Sequence, residues 1–221
     1  MTIEKYQFDE IKEYVEGRQI HMLCAFLTKH ETDWPHYQEL LHATFKLLVP
    51  LSNKNKEFSL ETAERLIRLG MDIDNTDASS ENLLSVTIRC EAYEMFDLLV
   101  KEGINLHSQD FEGKTPLYCA VILSRKTDFV EKLIEAGVDI QQELPDDLKG
   151  KNANNVYELA HQINNIDFHA YNGDKRRIIT LLDEAEQMQE TIRQKKEAAA
   201  KQKQTMKQRT GNKGITLKRR M

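Results

Sequence analysis

Three glycines set the period of this chain. Gly70, Gly103 and Gly137 stand 33 and 34 residues apart, each in the same local setting. An apolar pair precedes each one: Leu66-Ile67, Leu98-Leu99 and Leu133-Ile134. A similar tail follows: Met71-Asp72-Ile73, Ile104-Asn105-Leu106 and Val138-Asp139-Ile140. Asp77 and Asp110 keep the same 33-residue spacing. Glycine ends helices because, without a Cβ, it enters left-handed dihedrals at low cost. A helix end that recurs at this interval asks for short units stacked in a row, each covering the apolar side of the next.

The stretch from Asp110 to Ile140 shows what one unit contains. Thr115-Pro116-Leu117 is a helix start: Thr caps free amides, Pro stands where no donor is needed, and Leu points inward. Val130, Leu133 and Ile134 recur at the three-and-four spacing of a second helix with one buried side, which Gly137 ends. Neither helix is long enough to be stable alone. At Asp110, Gly113, Thr115, Pro116, Leu117 and Ala120 the stretch resembles an ankyrin repeat, whose pattern runs Asp-x-x-Gly-x-Thr-Pro-Leu-His-x-Ala. It departs at Tyr118, where the family places His, and carries an extra residue near Ser124 to Thr127. The preceding copy has Asn82-Leu83-Leu84 in place of Thr-Pro-Leu. The resemblance covers about residues 57–140 and implies an all-α, ankyrin-type helical solenoid.

Along the chain, Phe8, Ile11, Tyr14 and Val15 read as a short amphipathic helix ended by Gly17, and Ile20 to Leu27 as a buried one. Residues 18–43 read as a worn repeat, with Cys24-Ala25 and Thr32-Asp33 echoing Cys119-Ala120 and Thr127-Asp128, and a helix around Tyr37 to Leu41. Thr44 to Leu51 supplies another helix, and Ser59 caps the next, with Ile67 on its core side. Gln141 to Gly150 is longer than a standard ankyrin finger. Val156, Leu159 and Ala160 begin a final repeat, followed by a helix from about Asp174. These readings divide the chain into degenerate N-terminal helices (1–56), repeats (57–149), a capping repeat and helix (150–190) and a basic tail (191–221). The tail reads as frayed helix over 190–210 and as disorder past Gln208.

The net charge of −5 hides an asymmetry. Residues 193–221 hold eleven Lys or Arg and one acid, Glu197, so the tail carries +10 and the rest of the chain −15. No unbroken apolar run approaches the length of a membrane span. The first residues show no secretory signal, and Cys24, Cys90 and Cys119 are scattered and odd in number. Both features fit a reducing compartment, so the expected address is the cytoplasm.

No catalytic constellation is visible, and neither a cofactor nor a metal is expected. Gly113-Lys114-Thr115 echoes a phosphate-binding loop but lacks its earlier glycine, and its helix-start reading is the better one. His21, Cys24, His36 and His42 read as packed side chains rather than metal ligands. Nothing supplies Cys90 or Cys119 with a paired His base within its own repeat. Trp34 beside Pro35 reads as a core aromatic at a loop-helix junction, with a partner anchor as the alternative.

In ankyrin proteins, partners dock on the concave side, formed by the fingers and the exposed side of the first helices. Carried onto this sequence, that surface comprises Asp77, Ser79 and Glu81 from one finger and Asp110, Phe111, Glu112 and Lys114 from the next. The long third finger adds Glu143, Asp146 and Asp147, and Arg89, Ile122 and Leu123 flank them from the helices. Phe111 at a finger tip has no folding reason to be large and apolar. An aromatic within an acidic rim suits a basic protein partner. The expected function is therefore a non-catalytic interaction module, monomeric and not membrane-bound, that docks on and occludes a partner protein. Small stand-alone ankyrin proteins, when bacterial, resemble immunity or antitoxin proteins that cover a basic toxin. A general adaptor or host-interacting factor is a second expectation. A nucleic-acid-associated regulator using the basic tail is a third, with contacts that weaken steeply in salt.

Overall fold

The computed structural model describes residues 5–30, 36–75, 81–150, 153–166 and 174–218. Thr32, Asp33, Trp34 and Pro35, singled out above, lie outside these residues. The chain divides into two compact units, Met1–Ile179 and Thr180–Met221.

The first unit is built from helix pairs. Helix α1 spans Lys5–Glu16, α2 Ile20–Lys29, α3 His36–Ser52, α4 Lys56–Arg68, α5 Leu83–Arg89, α6 Tyr93–Lys101, α7 Pro116–Tyr118, α8 Thr127–Glu135 and α9 Val156–Ile166. Among the described residues the only β-pairing is two isolated bridges, Glu143 with Asn155 and Gly150 with Ala153.

The periodic glycines act as the sequence suggests. Gly70, Gly103 and Gly137 all have φ between 85° and 89°. Each closes its helix with the same pair of bonds. Gly70 N–H donates to Ile67 O and Met71 N–H to Leu66 O; the counterparts are Gly103 to Val100 with Ile104 to Leu99, and Gly137 to Ile134 with Val138 to Leu133. This double bond satisfies carbonyls the helix end would leave open. The residue after each glycine, Met71, Ile104 or Val138, then turns into the core.

The middle copy lacks Thr-Pro-Leu yet starts in the same way. Asn82 Oδ1 accepts the Ser85 amide at 2.7 Å, as Thr115 Oγ1 accepts the Tyr118 amide at 3.1 Å. Asn82 also donates to Ser108 O at 3.3 Å, tying its repeat to the next finger. Further ties replace the His link that Tyr118 removes: Asp74 Oδ1 accepts the Asn105 amide, and Gln142 Nε2 donates to His107 O. Tyr118 itself is buried.

The extra residue of the third copy lies inside a helix. After α7 the chain widens into a π-helical turn, Cys119–Ser124, closed by Arg125 at φ 55°. In the preceding copy Glu91 occupies that left-handed position and Ala92 N–H reaches back to Thr87 O, five residues earlier. In the third copy Lys126 N–H reaches Ala120 O, six residues earlier. One residue has been absorbed as a π-bulge, a device found mostly as single turns within α-helices.

Before residue 56 the structure departs from the sequence reading. The helices expected around Tyr37–Leu41 and Thr44–Leu51 are one continuous helix, α3. Its apolar positions Tyr37, Leu40, Leu41, Phe45, Leu48 and Val49 are all within 2% of full burial. Thr44 does not break it, because its hydroxyl donates back to Leu40 O. Helix α3 packs on α1, α2, α4, α5 and α6, so it is the hub of this end. The expected start of α4 at Ser59 is also corrected: the helix begins at Lys56, and Ser59 is fully buried inside it. Leu66, Thr62 and Ala63 form its core side, with Ile67 only half-buried. Gly17 follows α1, but Arg18 takes the left-handed conformation there.

Past residue 150, Val156, Leu159 and Ala160 are buried in α9 as read. The last helix, α10, spans Asp174–Lys218. It is helical beyond Gln208, where the sequence suggested disorder; Lys, Gln, Glu and Ala favour helix intrinsically up to Gln208, while nothing in the structure explains the helix across Gly211, Asn212 and Gly214.

Candidate functional site

Between the second and third repeats a finger projects at residues 105–115. Its tip is held by one carboxylate. Asp110 Oδ1 accepts the amides of Glu112 at 2.9 Å and Lys114 at 2.8 Å, while Gly113 N–H donates to Asp110 O. This Asx-type turn explains Asp and Gly at the spacing seen in sequence. It leaves Phe111 at the apex with 71% of its surface exposed.

Beneath the tip is a cleft of about 180 Å³. It is lined by Glu81, Ser85, Arg89, Asp110, Phe111, Glu112, Lys114, Cys119, Leu123 and Ser124. Seven of the residues named from sequence therefore share one site: Glu81, Arg89, Asp110, Phe111, Glu112, Lys114 and Leu123. Leu123, on the π-helical turn, is 55% exposed and gives the cleft a second apolar lip. Ile122 is half-buried beside it and does not line the cleft. Glu143, Asp146 and Asp147 stand on the next finger, not in the cleft. There Lys149 Nζ bonds Glu143 at 2.7 Å and Asp146 at 2.9 Å, and holds the Asp146 carboxyl below its usual range. Asp77 and Ser79 lie outside the described residues.

The charges of the cleft are mixed, which qualifies the acidic rim expected above. Glu81 is hydrogen-bonded to Arg89 and faces Lys46 at 3.6 Å. The Arg89 guanidinium, with Lys46 adding to it, holds the Glu81 carboxyl below its usual value against the opposing effect of burial. Lys114 pairs with Glu112, which raises the ammonium's pKa. The sequence reading missed Lys46, which lies on α3 far from any finger, and the wall residues Ser85, Cys119 and Ser124. Ser85 was legible in principle, three residues after a cap and on the helix side facing the fingers.

Burial pushes the Cys119 thiol up, with a Ser85 hydrogen bond opposing, and burial also raises Cys90. Thiols raised in this way stay protonated at neutral pH and react slowly. His42, one of the candidate ligand-type residues, is buried with Nε2 2.6 Å from Asp72 O. Among the described residues no group of three or more His, Cys, Asp or Glu is placed to hold a metal ion, and no helix is long and apolar enough to cross a membrane.

Comparison with known proteins matches residues 51–143 to the family described as Ankyrin repeats (3 copies). No curated protein matches the chain. Among solved structures, the chain is similar to the ankyrin repeat domain of Bcl-3, described as a unique member of the IkappaB protein family. The identity is 24% and the TM-score 0.44, over 63% of this chain and 50% of that one. The chain thus spans half the length of that structure. Glycine-closed helix pairs, capped starts, projecting fingers and the family match agree: residues 51–143 of this chain are ankyrin repeats.

Proposed function

We propose that this chain is a non-catalytic docking module that captures a partner protein in the cleft under Phe111. Ankyrin repeats are protein-interaction modules, and the single observation supporting this site is the pairing of Phe111 and Leu123. Two large apolar side chains stand exposed on either side of one cleft, framed by paired charges. Buried aromatic anchors inside a polar frame are the usual pattern of an energetic hot spot. The stacked repeats present this surface already ordered, so docking immobilises little of the chain.

Occlusion of the partner follows from a finger that covers what it touches. A bacterial immunity or antitoxin role against a basic protein is the narrower form of this proposal. It is supported by the −15 charge outside the tail and by Asp146 and Asp147 exposed on the neighbouring finger. A photo-crosslinking residue at position 111 in the native cell is expected to trap one dominant protein, and Leu123→Ala to abolish the trap. Equal trapping from position 22, where Met22 is exposed away from the cleft, would remove this site from consideration. The narrower role requires that the trapped protein be basic and harm cells lacking this chain. Trapping of an acidic or harmless protein supports a general adaptor or host-interacting factor instead.

A further inference from the structure

We infer that the second unit is a self-association helix that pairs antiparallel with the same helix of a second copy, in place of the monomer expected from sequence. The inference is independent of the cleft.

Over residues 180–203 the charge reverses at one point. Residues 180–191 hold Asp183, Glu184, Glu186 and Glu190 and no base, a charge of −4. Residues 192–203 hold five bases against Glu197, a charge of +4. Two segments of equal length carry equal and opposite charge. At the reversal stand Met188 and Ile192, one turn apart, with 61% and 46% of their surfaces exposed. Ile178, Leu182 and Ala185 form the buried side of α10; from Glu186 to Lys203 Met188 and Ile192 are the only large apolar side chains, they share one face, and a second surface can cover both.

The layout selects the partner. A parallel copy would set acid against acid and base against base over the whole length. An antiparallel copy, related by a two-fold axis near Glu190, sets each acidic half against a basic half. It also brings Met188 of one chain to the level of Ile192 of the other. The contact is isologous, so one chain supplies both complementary surfaces. The Glu190–Arg193 pair within the helix sits at the crossover. About 36 Å of helix is involved, and with only two exposed large apolar side chains per copy over that length the dimer should be reversible and weakened by salt.

Sedimentation of the full chain tests this. The expected result is a mass rising with concentration from 25.7 kDa toward twice that value. Met188→Gln with Ile192→Gln, which keeps charge and helix propensity, should hold it at the monomer mass with the thermal melt unchanged. Orientation is read by a short bismaleimide in a Cys24→Ser, Cys90→Ser background. Thr191→Cys should cross-link to itself; Lys203→Cys should not, since an antiparallel pair separates the two copies of position 203 by about 39 Å. A monomer at all concentrations overturns the proposal, even if the helix binds another protein. So does a dimer that survives the double substitution, or efficient cross-linking at position 203.

Discussion

Gly103→Ala and Gly113→Ala make the same chemical change at two left-handed glycines, and the structure separates their effects. Gly103 has φ 85° and nothing within 4 Å of where a Cβ would stand. Its cost is the backbone alone: about 1–2 kcal/mol for an L-residue held left-handed, offset in part by the lower entropy of the unfolded alanine chain. A net loss near 1 kcal/mol, or about 2–4 °C in Tm for a chain of this size, is expected. Gly113 has φ 75° and bears the same backbone cost, but its new Cβ would lie 2.3 Å from Pro145 Cγ. Pro145 is a rigid ring on the next finger, so the two fingers must part. Overpacking of this kind adds about 1–3 kcal/mol. Urea unfolding followed by circular dichroism gives both values, and the double-mutant cycle isolates the clash. Gly113→Ala with Pro145→Ala should recover the excess and leave only the Gly103-like cost. Equal losses at the two glycines, or no rescue by Pro145→Ala, would refute the reasoning.

Leu133→Ala removes a fully buried side chain from α8 and should destabilise by about 2–5 kcal/mol, read by the same unfolding curves. Asn82→Ala removes both a cap and the link to Ser108, with an expected loss of about 1 kcal/mol; Asn82→Ser should retain the cap. Phe111→Ala with Glu112→Lys should leave the melt unchanged and abolish partner capture, measured by pull-down. The Glu81 carboxyl is lowered by Arg89, so its stabilising contribution is full above the ordinary glutamate value of about 4.3 and fades as pH falls through the lowered folded value. Glu81→Gln should therefore flatten the acid limb of a Tm–pH profile and leave the region above pH 5 nearly level.

The repeats were legible because their signals are local and recur. A glycine after an apolar pair reports a left-handed helix end wherever it occurs, and three copies in register turn a weak mark into a period. Asn82 shows the limit of reading by pattern: it breaks Thr-Pro-Leu yet caps as well as Thr115. In sequence α3 reads as two helices because the worn repeat is bounded at residue 43, while packing on five neighbouring helices makes one continuous element. Asp110, Phe111, Glu112 and Lys114 fall on one cleft since they share a turn, while Glu143, Asp146 and Asp147 stand on the next finger. Lys46 comes to face Glu81 through tertiary packing, which no spacing along the chain encodes. The mixed charge of the cleft was missed for the same reason: counting acids along fingers does not show which cations fold against them.

The π-helical turn keeps the array in phase. One residue added to an ordinary helix would rotate all that follows by about 100° and swing the next apolar stripe out of the stack. Here the surplus is taken up within a single widened coil, and from Arg125 onward the copy resumes the spacing of the one before it: Gly137 follows Arg125 at the interval by which Gly103 follows Glu91. The array can thus add one side chain to the wall of the cleft without disturbing its bearing members, and Leu123 stands where that freedom was used.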